Sequence, residues 1–538
     1  MRSAATLTPD PVIGRRAPPI NVSRPELGGR RAPASYARPN IACFGTRTPP
    51  GCVPPAAVVG DLLFTFSGEA LKILRAGATP DLLASVPLDA PAYGAELLVQ
   101  DDRVLVLLPG GGFAEGGPAG ISMPSPIEGG GGGAGTTLLL LDVADPTEPA
   151  LLESLDLDGR YLSARLSGGA VRLVTASTPA LPMPSQSYAR VRHAASPQGA
   201  GTLLVTSLDL TKGLAAQDST AVTTEGDLVY ASADRLYVAT SRWGVSAPAA
   251  SAPLADRSTA VTTELHAFDT TDPTNTPYAG SASVAGYVYG RWALSSYDGH
   301  LRVATTNSPP WGDGPASSSR VTVLAEREDG LVETGRVDGL GKGERIYAVR
   351  YFGQLATVVT FRQTDPLYVL DLADPAAPRL LGELKVPGFS TYLHPVGDNR
   401  LLGVGQDADS SGRVTGLQVS LFDLSDLSRP VQLDRLPLGT GHSLALEDSR
   451  AFGYDPERRL ALLPVSTYDE GTGRNEALGV RVGADGSLER AGRLALGPDV
   501  QVERVLHDQD HIYAVTRTGV VAARAGEFTR TGSVAFPR

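Results

Sequence analysis

The residues of this chain best suited to chemistry are few, and most of them sit in turns. Asp407-Ala408-Asp409-Ser410-Ser411-Gly412 puts side-chain oxygens at positions one, three and five, with glycine at six. Such spacing wraps a calcium ion, because alternate oxygens converge on one point and glycine permits the sharp turn. Asp407, Asp409 and Ser411 are therefore the calcium candidates, although position twelve is Gln418 and not a bidentate glutamate. Without a metal the same residues make a polar hairpin loop. A second cluster is His507-Asp508-Gln509-Asp510-His511. Two histidines four apart face one way on a helix and suit zinc or copper. Here the flanking stretches 502–506 and 512–516 read as strands, and a tight turn between them would splay His507 and His511 apart.

Other polar groups have simpler explanations. Asp142/Asp145, Asp269/Asp272 and Asp371/Asp374 each form an Asp-x-x-Asp-Pro turn. They could line one face as cation ligands. More simply, aspartate accepts backbone N–H bonds in a turn and proline fixes the next φ. His394 and His442 occupy corresponding places in neighbouring units, where they either approach a central channel or pack. Trp243, Trp292 and Trp311 could form a stacking surface for sugar or peptide, or ordinary packing between units. The glycine run 129–133 lacks the lysine of a phosphate loop. No Gly-x-Ser-x-Gly elbow and no His-Glu-x-x-His occurs. The carboxylates are scattered, so no acid–base pair can be named.

The elements that must position these residues are short strands. Gly and Pro number 61 and 42 in 538 residues, which argues for many turns and against a helical protein. Aromatic residues are 6%, so the core is aliphatic. From residue 56 the chain repeats a unit of four strands. Residues 344–388 show it best: "RIYAVRYF", "LATVVTF", "LYVLDL" and "RLLGELKV", with the turn "ADPAAP" before the last. Third strands begin near 71, 138, 203, 264, 321, 367, 417, 478 and 520. A four-stranded repeat of about 40–50 residues is the mark of a β-propeller blade. The chain is expected to be all-β, a propeller of eight or nine blades over 56–538, with insertions at 110–135, 177–200 and 244–260. The first unit shows no recognisable first strand, a weak point for ring closure.

Residues 1–55 read as a separate, disordered Arg/Pro-rich segment with a charge balance of +6, leaving −17 on the rest. Cys43 and Cys52 are the only cysteines; they either bridge a short loop or stay as two thiols. The net charge of −11 argues against a nucleic-acid partner. No apolar run is long enough for a membrane span, and no secretory signal is visible in this chain.

Several of these segments resemble one family. They are Asp365-Pro366-Leu367-Tyr368 to Asp371, Gly382-Glu383-Leu384, "VPGFSTYLHPV" at 386–396, "LFDLSD" at 421–426, and Gly159-Arg160-Tyr161 with Arg165. The chain is similar through them to the bacterial and archaeal "secreted protein containing C-terminal beta-propeller domain" group, distantly WD40-like. The resemblance covers about 56–525 and is most specific through 340–430. It implies a propeller, and a secreted, periplasmic or cell-surface location. It carries over no catalytic residues.

The function expected from all this is a non-enzymatic monomeric propeller whose loops meet a protein or glycan, with no cofactor unless calcium binds. The alternative is a propeller hydrolase or lyase with calcium or a transition metal in its channel. Converging Asp, Glu and His around the axis would favour the enzyme; an apolar or Arg-lined channel would count against it.

Overall fold

The computed structural model describes residues 56–537, apart from 93, 111–134, 178–189, 194–200, 245–259, 309–316, 329, 362–364, 410–412 and 470–471. Residues 1–55, with Cys43 and Cys52, lie outside the described part.

Each repeat folds as one antiparallel sheet in strict chain order. Blade six is typical: Arg345–Phe352, Leu355–Phe361, Asp365–Asp371 and Arg379–Val386 pair first to second, second to third and third to fourth. Its second strand is buried from end to end, because a neighbouring blade covers each face. Its fourth strand lies at the outer rim and is largely exposed, with only Gly382 and Val386 buried. Nine such sheets occur, over 56–87, 96–158, 160–223, 228–285, 294–340, 345–386, 389–439, 441–496 and 504–535. The fold is a nine-bladed propeller, and the repeat count of nine includes no partial unit. Among the described residues the only helical pieces are short 3-10 turns.

Nine apolar clusters hold the ring, one at each interface between neighbouring blades. The closing interface sets Ala56, Val58, Leu63 and Leu74 of blade one against Leu506, Tyr513, Val520 and Phe536 of blade nine. The first blade does possess an inner strand, Ala56–Val59, whose first three residues are buried. Its brevity hid it from sequence reading. Among the described residues no strand is exchanged at the closure: each terminal blade is built from its own end of the chain, and apolar packing with a Ser67–Arg517 hydrogen bond joins them.

The Asp-Pro turns contribute to this packing. Asp371 Oδ1 accepts from Ala373 N at 3.0 Å and Asp374 Oδ1 from Ala376 N at 3.0 Å, which shapes the turn. The finished turn lies on the fourth strand of the preceding blade at Gly335, where an added Cβ would stand 2.6 Å from Pro375 O and 2.7 Å from Pro378 Cδ. Only glycine allows so close an approach.

Two blades depart from the plan. Blade three gains Arg190–His193, paired parallel to its outer strand Ala216–Thr223. In blade eight the inner position is split between Gly441–His442 and Gly453–Asp455, both paired to Leu460–Asp469. Residues 443–452 leave the sheet between them and form 3-10 turns at Leu444–Leu446 and Ser449–Ala451. Ser443 caps the first by accepting from Ala445 N, and Asp448 caps the second by accepting from Arg450 N.

Candidate functional site

Chain direction decides which face carries the site. Each inner strand starts at one face of the ring; with four alternating strands, the second-to-third connections return to that same face. The first-to-second and third-to-fourth turns, including every Asp-x-x-Asp-Pro turn, lie on the other. The long connections after Pro109, Ser177 and Gly244 all join second to third strands, so they leave from the face where inner strands begin. Apart from Arg190–His193, most of their residues lie outside the described part.

The excursion of blade eight crosses the axis of the ring. Arg450 Nη1 reaches Glu96 Oε1 of blade two at 2.6 Å, and Arg450 Nε pairs with Asp448 at 2.9 Å. Arg504 of blade nine donates to Asp448 Oδ2 at 2.6 Å. Arg291, just ahead of blade five, donates to Ser449 Oγ at 2.9 Å. In a nine-membered ring, blade eight can meet blades two and five only across the centre. Residues 443–452 therefore plug the channel, with Ala445, Ala451 and Phe452 packed into the cluster of blades seven and eight beside Trp292.

The axis is rich in arginine. Arg165, Arg291, Arg350, Arg450 and Arg504 converge on it or stand beside it, with Glu96 and Asp448 the carboxylates hydrogen-bonded into the group. Glu96 spends its second oxygen on Tyr161 Oη, 2.6 Å away. Burial, and then Glu96, push the Tyr161 phenol well above its ordinary range. Burial also works against the Asp448 carboxylate, but Arg450 and Arg504 outweigh it and hold Asp448 well below the usual range. Asp448 is thus locked as an anion. Arg165, 7% exposed, donates among the described residues to neutral acceptors: the Ser163 hydroxyl, Ala164 O at 2.6 Å and Val229 O at 3.5 Å. Burial first, then Arg165 and Arg450, bring Arg291 down to about 10.

Beside this cluster lies a small recess of about 20 Å³ between blades five, six and seven, an aromatic dimple lined by Tyr289, Trp292, Tyr347, Thr391 and Tyr392 with the aliphatic Val349 and Leu393. Arg350 stacks on Trp292 from 4.6 Å and Arg291 from 5.4 Å, so the indole is the shared wall of recess and arginine cluster. Tyr289 is half exposed at the rim. Beneath, His394 is buried against Tyr392, Phe452 and Tyr454. Its Nδ1 meets Tyr392 Oη at 3.1 Å while Nε2 has no hydrogen-bond partner. Burial, helped by Arg350, holds His394 well below its ordinary pKa, and the ring is neutral.

The candidates from sequence fall elsewhere. Asp407 pairs with Arg435 at 2.7 Å, and Asp409 pairs with Arg413 at 3.0 Å; Ser411 lies outside the described residues. A cation there would compete with two guanidinium groups. His507 registers with Ile512, and neighbouring strand residues alternate faces, so His511 points to the opposite side of the sheet. His507 packs toward Gly453 of blade eight, whereas His511 stacks with Tyr513, which faces blade one. Blade nine itself stands between the two imidazoles, and they share no ion. Among the described residues no three His, Cys, Asp or Glu gather into a metal-holding group. Of the sequence histidines at corresponding positions, His394 is packed among Tyr392, Phe452 and Tyr454, while His442, 39% exposed, pairs with Glu447 at 3.0 Å. Trp292 lines the recess; the side chains of Trp243 and Trp311 lie outside the described part. Sequence reading missed Arg291, Arg350, Arg450, Arg504, Glu96 and Asp448. One signal was available: Arg165 and Arg350 occupy the same place, the sixth residue, on the innermost strand of two blades, and both are buried there.

Comparison with known proteins bears on the fold. An uncharacterized protein of Methanocaldococcus jannaschii is 42% identical over 188 residues, covering 35% of this chain and 29% of that protein. An uncharacterized protein of Archaeoglobus fulgidus is 42% identical over 186 residues, covering 35% and 28%. The matches thus span less than a third of either relative's length. Among solved structures, the periplasmic gluconolactonase of Pseudomonas aeruginosa aligns with a TM-score of 0.37 at 13% identity, over 64% of this chain and 92% of that one. Hsv2 of Kluyvelomyces marxianus aligns with a TM-score of 0.33 at 12% identity, over 66% and 91%. The family model described as the beta propeller domain matches residues 59–528, nearly the whole ring, and the chain belongs to that family.

Proposed function

We propose that this propeller is a non-enzymatic binding module that takes a carbohydrate chain on the face where its inner strands begin. The aromatic recess of Tyr289, Trp292, Tyr347 and Tyr392 carries this reading. Flat aromatic walls bury the apolar face of a sugar ring, while phenol and threonine hydroxyls at their edges bond its hydroxyls. The axis supports binding over acid–base chemistry, because Glu96 and Asp448 are engaged by arginines and no free carboxylate pair converges there among the described residues. An extracytoplasmic location belongs to this reading and rests on the resemblance to secreted propellers. A protein partner is the competing occupant. The test is a panel of immobilised oligosaccharides probed with the full chain and with Trp292→Ala and Tyr347→Ala. Sugar binding that falls about tenfold or more in both variants supports the reading; a chain that retains no sugar, or variants that bind unchanged, would sink it.

A further inference from the structure

We infer that the saccharide taken by this face is acidic, its oxyanion seated on Arg291 and Arg165 where the recess meets the axis. The inference rests on the carbohydrate reading above and deepens it. Charge accounting at the axis carries it. Glu96 gives one oxygen to Arg450 and the other to Tyr161; Asp448 is divided between Arg450 and Arg504. The two carboxylates are used up by two arginines. Arg165, more than nine-tenths buried, is left with a hydroxyl and two backbone carbonyls. Arg291 is left with the Ser449 hydroxyl and the Trp292 ring. Neither has a carboxylate hydrogen-bonded to it among the described residues. Glu96 attracts both of them through space and Asp448 attracts Arg291, but the five guanidinium groups at the axis share these two carboxylates; interior clusters with such an excess of positive charge are uncommon, because the lost hydration is not fully replaced by anions. They are common where an anion is to be bound, since a planar fork of donors fits a carboxylate or sulfate oxygen pair.

Position adds a second argument. The net charge of the protein is −11, so a local excess of positive charge at the channel mouth is not a consequence of composition. Arg291 stacks on the same Trp292 that walls the recess, and its charge is felt at Tyr392, another lining residue. A sugar ring lying on Trp292 would carry an acidic substituent toward Arg291. The neutral Ser449 hydroxyl leaves the rest of that fork free to accept it. Uronic-acid and sulfated sugars offer the same oxyanion chemistry.

The experiment is calorimetric titration of the full chain with three probes: trigalacturonate, the same trisaccharide with its carboxyls reduced to alcohols, and a sulfated galactose trisaccharide. Each is titrated at low and high sodium chloride and repeated with Arg291→Gln. The expected result is that an acidic probe binds at least tenfold more tightly than the reduced one. High salt should weaken the acidic probe only, and Arg291→Gln should erase the preference for it. Preference for the sulfated over the uronate probe would support the inference and identify the oxyanion. Equal binding of all three, insensitive to salt, would overturn it and leave the carbohydrate reading standing. Absence of binding by all three, with an intact fold, would overturn both. The salt arm uses the wild-type chain, so the result holds even if Arg291→Gln folds poorly.

Discussion

At the scale of single residues, the interior of this ring is unusually polar, and each polar group answers to a local cause. His394 is the clearest case, with its neutral ring enclosed by Tyr392, Phe452 and Tyr454 and with Arg350 nearby. The unfolded chain protonates this imidazole below about pH 6.5, whereas the folded protein resists until far lower pH. The unfolded state therefore binds more protons in that window, and stability is lost as pH falls. The stability is complete above the unfolded pKa and declines by about 1.4 kcal/mol per pH unit below it, for this one group. His394→Phe keeps an aromatic ring in the site and removes the titration. Denaturant midpoints of both proteins between pH 8 and pH 5 should diverge in slope below about pH 6.5; parallel curves would show that His394 takes up its proton as readily in the folded protein as in the unfolded chain.

At the scale of the element, a blade is a sheet plus the turn that docks it on its predecessor. The Asp-x-x-Asp-Pro segments look like ligand sets in sequence, yet their aspartates accept from the backbone of their own turns. Asp145 accepts from Thr147 N at 2.9 Å, Asp272 from Thr274 N at 2.8 Å, and Asp374 from Ala376 N at 3.0 Å. The Asp374 turn docks on Gly335 in the fourth strand of the preceding blade. Gly335→Ala places a methyl 2.6 Å from Pro375 O, so that turn must withdraw. The expected cost is about 1–3 kcal/mol, the range for overpacking a tight contact, read from thermal or denaturant unfolding. A change below about 0.5 kcal/mol would mean that the turn is free to shift and is not a packing device. The four-strand repeat and the turn at each third-to-fourth step were legible in the sequence for this reason: alternating strands and Asp-Pro turns are dictated by neighbours in the chain. The split inner strand of blade eight was not legible, because "GHSLALEDSRAFGYD" has the apolar content of a strand and leaves the sheet only where a channel waits to be filled.

At the scale of the molecule, the ring closes by packing between blades one and nine, with Ser67 Oγ donating to Arg517 O at 2.6 Å across a separation of 450 residues. The closing interface repeats the device used elsewhere: Gly532 of the last blade accepts the turn of the first, with Thr79 Cα 2.7 Å from where its Cβ would be. If closure is equivalent to any internal interface, Gly532→Val lowers the melting temperature within a single cooperative transition. Calorimetry decides this. A transition that splits in two would show that blade nine docks as an independent unit on a ring of eight. The plug at the axis gives the circle a further tie, since Arg450 joins blade eight to blade two through Glu96. Protein interiors are close-packed, and a ring this wide leaves central space that inner strands alone do not fill.

The amino-acid sequence by itself determined the repeat, the four-strand blade, the all-β class and the position of nearly every third strand, because these follow from hydrophobic period and turn chemistry within about fifty residues of chain. It also carried a hint of the axis in Arg165 and Arg350, set at the same place on two inner strands. Only the tertiary structure decided which polar residues meet. Glu96 and Arg450 stand 354 residues apart, Arg291 and Ser449 158 apart, and no local pattern relates them. The same structure separated His507 from His511, which the sequence sets side by side, because a strand turns successive side chains to opposite faces. Closing a circle converts distance along the chain into contact across an axis, and the candidate site is made of those contacts.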